Sequence, residues 1–212
     1  MNDLFSNLET RENLTDGAML LRGFALANAK DVISALRSLA EEAPFRHMTT
    51  PGGFRMSVAM TNCGSFGWVT DRRGYRYSPA DPETDRPWPE MPDALLNLAE
   101  TAAQEAGYAA FSPDACLINR YEPGAKMSLH QDKDEKDFTN PIVSVSLGLP
   151  ATFQFGGSQR NDPVRKFVLY HGDVVVWGGP SRLFYHGILA LKDGEHPQLG
   201  RYRYNLTFRK AQ

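Results

Sequence analysis

The chain is poor in cysteine. It has two, Cys63 and Cys116, in 212 residues, too few for a disulfide framework. Both read as small buried apolar residues. Long apolar runs are also missing; none approaches the ~20 residues that span a bilayer. The N-terminus, MNDLFSNLET, lacks the basic segment and apolar core of a secretory signal. These absences predict a cytoplasmic protein in a reducing compartment, with no membrane partner. Charge of one sign is scarce as well. A formal net charge of -2 excludes a polycation, so any nucleic-acid contact must come from local basic clusters. Internal repeats and low-complexity tracts are absent. Hydrophobic residues, 42% of the chain, suffice for one real core. The length suits a single domain over residues 1–212, read as a monomer.

Two helices are expected early. Asn28 is a plausible N-cap before Val32, Ile33, Leu36 and Leu39, an apolar stripe at helical spacing that Pro44 ends. A second helix runs from about Pro92 to Ala106, with Leu95, Leu96, Leu98 and Ala99 inside and Gly107 as its stop. Between them, residues 45–91 mix turn formers with Met56, Met60, Trp68, Tyr75, Tyr77 and Trp88, interleaved with Arg55, Arg72, Arg73 and Arg76. This segment reads either as short hairpins with a small core or as a lid of stacking aromatics and cations. From residue 111 the chain turns strand-like. Cys116–Tyr121, Ile142–Leu149, Thr152–Phe155, Lys166–Leu169, Asp173–Trp177, Leu183–His186 and Tyr202–Phe208 are β-prone runs separated by glycine-rich turns. The pattern predicts a mainly β domain, a sandwich or jelly roll over 111–212, with the helices buttressing one outer face.

His130-Gln131-Asp132 and the distant His186 are candidate metal ligands. Side chains two apart on an extended segment share a face, so His130 and Asp132 can point into one barrel mouth. His186, read as the end of its own strand, completes the set from the opposite wall. Two imidazoles and a carboxylate match the facial triad of non-haem Fe(II), with positions left open for co-substrate and oxygen. Zn(II) with three protein ligands and water fits the same residues. His47, His171 and His196 fall in turns or in the lid segment and are left out.

The last strand alternates cleanly. Arg201, Arg203, Asn205, Thr207 and Arg209 share one face; Tyr202, Tyr204, Leu206 and Phe208 share the other. Guanidinium, amide and hydroxyl groups on one face can hold a small dicarboxylate, because the planar fork of arginine meets a carboxylate in bidentate fashion. Arg203 and Arg209 stand on the order of 20 Å apart along a strand and must lean together to share one ligand. Asn119 and Tyr121 repeat the same-face pattern on an earlier strand.

Taken together, TPGGFRMSVAMTNCG, DACLINRYEPGAK, LHQDKDE, PIVSVSLGLPATFQFGG, HGDVVVWGG, SRLFYHG and RYNLTFR resemble the bacterial AlkB family of Fe(II)- and 2-oxoglutarate-dependent nucleic-acid dealkylases. The likeness runs from Asp3-Leu4-Phe5 to Phe208-Arg209. It implies a double-stranded β-helix, or jelly roll, preceded by a nucleotide-recognition lid, here residues 45–91. It implies His130, Asp132 and His186 as catalytic iron ligands, and Asn119, Tyr121, Arg203, Asn205 and Arg209 as holders of 2-oxoglutarate. Trp68 would stack on the damaged base against the ring of His130, Asp134 would face the base edge, Tyr75 and Tyr77 would touch phosphates, and Arg160 would line the substrate side. The implied reaction is oxidative demethylation of 1-methyladenine and 3-methylcytosine in DNA, single-stranded DNA included, with RNA as a further partner. Oxygen and 2-oxoglutarate are consumed; formaldehyde, succinate and carbon dioxide are released.

A methylated cationic base pairs weakly, which lowers the cost of flipping it out. By pattern alone Asp134 is a solvated acid in the run Asp132-Lys133-Asp134-Glu135-Lys136, and Trp68 a lid-core aromatic. Arg72, Arg73, Arg76, Lys126, Lys133 and Arg160 are candidate phosphate contacts or a solvated face. Two other readings share much of this pattern: a 2-oxoglutarate oxygenase acting on a protein or small molecule, and a non-catalytic jelly-roll binding module.

Overall fold

The structure, a computed structural model, describes residues 10–212; the motif Asp3-Leu4-Phe5 lies outside that range. A hairpin opens it, β1 (Arg11–Thr15) and β2 (Ala18–Leu21), followed by α1 (Ala29–Glu42). Then come β3 (Ala59–Gly64), β4 (Gly67–Asp71), β5 (Gly74–Ser78) and α2 (Asp93–Glu105). The remaining strands are β6 (Ala115–Tyr121), β7 (Met127–His130), β8 (Ile142–Gly148), β9 (Ala151–Phe155), β10 (Arg165–Leu169), β11 (Val174–Trp177), β12 (His186–Ile188) and β13 (Arg203–Arg209). One sheet has seven strands in the order β1-β2-β11-β8-β13-β6-β3; a second has four, β10-β9-β12-β7; β4 and β5 pair alone. The pairings are antiparallel throughout.

Alternation along the strands sorts the side chains into two cores. Val143, Val145 and Leu147 of β8, Val174 and Val176 of β11, and Leu206 and Phe208 of β13 pack against the helices through Val32, Leu36, Leu95 and Leu98. Their neighbours one residue along face the second sheet, where Ile142, Val175 and Trp177 meet Phe153, Phe155 and Ile188. The helices therefore cover one outer face of the large sheet, as the sequence pattern predicts, and the site cavity opens beside the second core, between the sheets.

Several local expectations change. Asn28 occupies the α1 N-cap but makes no side-chain cap bond. Leu96 is only half-buried, while Leu95 and Leu98 are fully enclosed. The β1–β2 hairpin went unpredicted, although Asp16-Gly17 is a two-residue turn signal and Gly17 has φ +75°. β3 lies within the lid segment by sequence, yet it forms the edge of the large sheet beside β6. Strands from ahead of residue 111 thus complete the sheet, and only β4–β5 stands apart.

His186 begins its strand rather than ending it. The chain leaves a tight turn at Gly179–Ser181, and Phe184 N still donates to Ser181 O at 2.9 Å; Tyr185 already exchanges backbone hydrogen bonds with Gly156 and Gly157 at 2.8 and 2.9 Å, and the strand proper starts at His186. Arg201 sits outside β13 and is exposed, paired with Asp193 at 2.9 Å.

Gly187 lets β12 approach β7 closely. A Cβ there would stand 2.7 Å from Met127 O and 3.2 Å from Leu129 N, so the strands would have to part beside His186. Gly187→Ala is expected to cost about 1–3 kcal/mol of stability, as for overpacking, and to weaken divalent-metal binding. Urea unfolding and metal titration measure the two effects.

Candidate metal centre and substrate cavity

The register of β12 against β7 sets His186 directly opposite His130. Their rings stand 4.4 Å apart between centroids. Asp132 follows β7 by two residues, outside the strand, so loop geometry rather than pleat alternation brings it in. Its Oδ1 lies 3.5 Å from His130 Nε2, and its Oδ2 lies 3.7 Å from His186 Nε2. One ligand atom from each residue falls within 4.8 Å of the others, close enough for all three to hold one ion.

The imidazoles are prepared for metal. His130 Nδ1 lies 2.9 Å from Ser128 O, and His186 Nδ1 lies 3.0 Å from Phe184 O. A carbonyl only accepts, so each Nδ1 carries the proton and each Nε2 offers a lone pair toward Asp132. Burial drives the pKa of His186 down to about 4, helped by the charge of His130. Burial also opposes charge on His130, but the adjoining Asp132 carboxylate wins and raises its pKa. Asp132 itself is held well below the usual carboxylate range against the effect of burial, chiefly by Arg209 and then His186.

Beside the triad, the inner face of β13 is buried. Arg203, Asn205, Thr207 and Arg209 are all nearly inaccessible, so these charges are not in water. Arg209 donates from Nη2 and Nε to Asp132 Oδ2 at 2.6 and 3.0 Å. Arg203 has no carboxylate partner among the described residues. Its Nη2 donates to Ser146 Oγ at 3.1 Å and its guanidinium lies over the Tyr121 ring. Its Nε and Nη1 find no hydrogen-bond partner among the described residues, nor does Asn119 Oδ1. Burial lowers the pKa of Arg203, although a guanidinium stays charged in proteins. A buried cation with two idle N–H groups calls for an anion. Asn205 turns inward: its Nδ2 donates to Ser144 Oγ at 2.8 Å, and its Oδ1 accepts from Thr207 at 3.1 Å.

Both groups line a cavity of about 590 Å³, shared by Trp68, Tyr75, Asp134 and Arg160 at its outer part. Trp68 Nε1 donates to Asp134 Oδ2 at 2.8 Å, and Trp68 stacks on Tyr75 at 5.7 Å. Arg160 lies over the Tyr185 ring, and Lys126 and Lys133 border the opening. Tyr77 behaves differently from the phosphate contact expected of it. Its hydroxyl points inward and donates to buried Glu135 at 2.6 Å, and burial raises its pKa well above the ordinary phenol value. Arg73 and Arg76 are also occupied, paired with Asp71.

The donor set fits ferrous iron, and the orphaned guanidinium fits a carboxylate beside it. Residues 17–209 match the family model of the 2OG-Fe(II) oxygenase superfamily. The chain belongs to that superfamily. The oxygenase is 62% identical over its full length to the alpha-ketoglutarate-dependent dioxygenase AlkB of Escherichia coli, covering 98% of that protein. It is 35% identical over 60% of its length to the DNA N(6)-methyladenine demethylase ALKBH1A of Arabidopsis thaliana, covering 38% of that protein. The solved structure of OsALKBH1 superposes with a TM-score of 0.81 at 30% identity, covering 94% of the oxygenase and 99% of that chain. Iron and 2-oxoglutarate are accordingly the cofactor and co-substrate, and the zinc alternative falls away.

Some residues of the site were missed by sequence reasoning. Trp177 packs 4.9 Å from the His186 ring, with its indole N–H buried and unpartnered among the described residues. Its place in the alternation of β11, in step with Val175, was the available signal. Glu135 and Arg182 form a buried ion pair at 3.0 Å; a charged run conceals such burial from any pattern.

The depressed pKa of His186 has a sign that can be tested in metal-free protein. The unfolded histidine protonates near its ordinary 6.5, while the folded one waits until about pH 4. Protons therefore favour the unfolded chain in between, and stability falls as pH drops from 6.5 to 4. The thermal midpoint of the parent should decline across this window more steeply than that of His186→Gln.

Proposed function

We propose that the oxygenase removes alkyl groups oxidatively from nucleic-acid bases. The observation that carries this reading is the pairing of a flat aromatic with a carboxylate, Trp68 Nε1 to Asp134 Oδ2, in the same cavity as His130. A methylated base such as 1-methyladenine or 3-methylcytosine is flat and cationic. Stacking between Trp68 and the His130 ring would hold its plane, and Asp134 would favour its charge. The names of the relatives, a dioxygenase AlkB and a DNA demethylase, support the same substrate class.

His130, Asp132 and His186 would hold Fe(II). Iron with 2-oxoglutarate and O2 supplies the oxidation of an unactivated N-alkyl carbon, with succinate and carbon dioxide as products. Arg203 would take the distal carboxylate of 2-oxoglutarate through its idle N–H groups, helped by Asn119 and Tyr121. Arg209 would steady the end nearer the metal, and Asn205 would brace Asn119 through their 3.4 Å contact. Once the N-alkyl carbon bears a hydroxyl, the C–N bond breaks. A methyl group then leaves as formaldehyde: the hydroxyl proton passes to solvent as the C=O bond forms, and the ring nitrogen keeps the C–N electron pair.

Tyr75, half exposed at the rim, together with Arg160, Lys126 and Lys133, would follow the sugar-phosphate path. Tyr77 would act behind the lid instead. Alkylated DNA is the principal partner, single strands included because they need no unpairing, and RNA is a second. Residues 45–91 would serve as the recognition lid of a single-domain monomer. Reduced, buried Cys63 and Cys116 suit a cytoplasmic setting. No helix among the described residues is long and apolar enough to cross a membrane.

Methylated oligonucleotides incubated with Fe(II), 2-oxoglutarate and O2 should yield formaldehyde and restored bases. His130→Ala should abolish both products. Trp68→Ala should lower kcat/KM roughly 5- to 150-fold, the worth of one stacked base, while leaving iron binding intact. Succinate formation without base repair, on every oligonucleotide offered, would favour a protein or small-molecule substrate.

A further inference from the structure

We propose that Glu135 is a positioning residue that latches the β4–β5 hairpin to the guanidinium of Arg209. The proposal rests on the functional reading only in taking Arg209 as a holder of co-substrate. Glu135 follows Asp132 by three residues, and its side chain is 1% exposed. Its Oε1 accepts the Tyr77 hydroxyl at 2.6 Å and lies 3.4 Å from Arg209 Nε. Its Oε2 accepts from Arg182 Nη2 at 3.0 Å. Arg209 Nη1 reaches the Tyr77 oxygen at 3.4 Å, which closes a ring of contacts. Arg182 extends the ring by donating from Nη1 to Asp132 O at 2.8 Å and from Nε to Asn140 O at 3.1 Å. One carboxylate thus joins the hairpin, the loop that carries a metal ligand, and the last strand.

The physical consequence is coupling. The hairpin is a separate two-stranded sheet; buried Asn62 of β3 ties its first strand through two hydrogen bonds with the Trp68 backbone, and Tyr77 ties its second strand to Glu135. If the hairpin swings out, Glu135 loses a hydrogen bond to a buried charge and is left to two guanidiniums, in an enclosed place that water reaches poorly. Arg209 is shared between Asp132 and Glu135. A divalent ion at the triad draws on the charge of Asp132, which leaves Glu135 as the carboxylate still available to orient Arg209. A ligand that fixes Arg209 therefore favours the closed hairpin, and by linkage the closed hairpin favours that ligand.

Amide hydrogen exchange on the full chain tests this without turnover. In metal-free protein, Tyr77→Phe and Glu135→Gln should each speed exchange across residues 67–78 by about tenfold or more, as expected for a lost hydrogen bond to a charged group. Exchange in α1 and β13 should stay at the parent rate. Adding Mn(II) and 2-oxoglutarate without oxygen should slow exchange across 67–78 in the parent and not in Tyr77→Phe. Unchanged exchange across 67–78 in Tyr77→Phe would overturn the latch. So would a rise spread over the whole chain in that variant, or equal ligand protection in parent and variant. If Glu135→Gln loosens the protein everywhere, Tyr77→Phe decides alone. No nucleic acid enters the experiment, so its failure and a failure of dealkylation are separate results.

Discussion

The close antiparallel pairing of β12 with β7 is the constraint from which the site follows. It sets His186 against His130, and it depends on the missing side chain of Gly187, whose backbone passes near Met127 and Leu129. β7 supplies the Ser128 carbonyl, and the segment leading into β12 supplies that of Phe184; these keep each Nδ1 protonated. Position and tautomer therefore come from one piece of backbone. The large sheet behind contributes stiffness: its helix-facing side is packed with valine, leucine and phenylalanine, and its inner side combines a second apolar cluster with the buried polar groups of β13.

Charge is the second organising feature. Arg182, Arg203 and Arg209 are buried in one region with only Asp132 and Glu135 as carboxylate contacts among the described residues. Such an excess of buried cation is expensive unless a ligand neutralises it. A dicarboxylate co-substrate answers that need, and Arg203, with idle donors, is where the deficit concentrates. Arg209 and Arg182 both meet Glu135, which accepts the hydroxyl of Tyr77 in the hairpin that borders the cavity. The metal-ligand candidate Asp132 and the β4–β5 hairpin share one network of charges and hydrogen bonds.

Much of this could be read from residue order. Alternation in β13 separated Arg203, Asn205, Thr207 and Arg209 from Leu206 and Phe208, because a pleated strand has a period of two and one face must meet the helices. Spacing identified the helices for the same reason at a period near 3.6. The pair His130 and Asp132 with a remote His186 marked by chemistry the three residues that converge into a candidate metal site, even though Asp132 left the strand and His186 began one rather than ending one. Resemblance to a family suggested base-holding roles for Trp68 and Asp134, which local pattern would have left as a core aromatic and a solvated acid.

Residue identity alone determined which donors exist, which strand faces are apolar, and that no cysteine framework stabilises the chain. Tertiary structure decided which charges meet. Glu135 and Asp134 are neighbours in one acidic-basic run, yet the first is enclosed by two arginines and a tyrosine while the second lies at the cavity mouth against Trp68. Tyr75 and Tyr77 share one strand and nearly the same spacing, yet one borders the opening and the other locks inward. The reason is physical. Periodicity reports the direction of a side chain relative to its own element, whereas burial and partnership depend on what other elements bring to that direction, and here those partners lie 47 to 132 residues away in sequence.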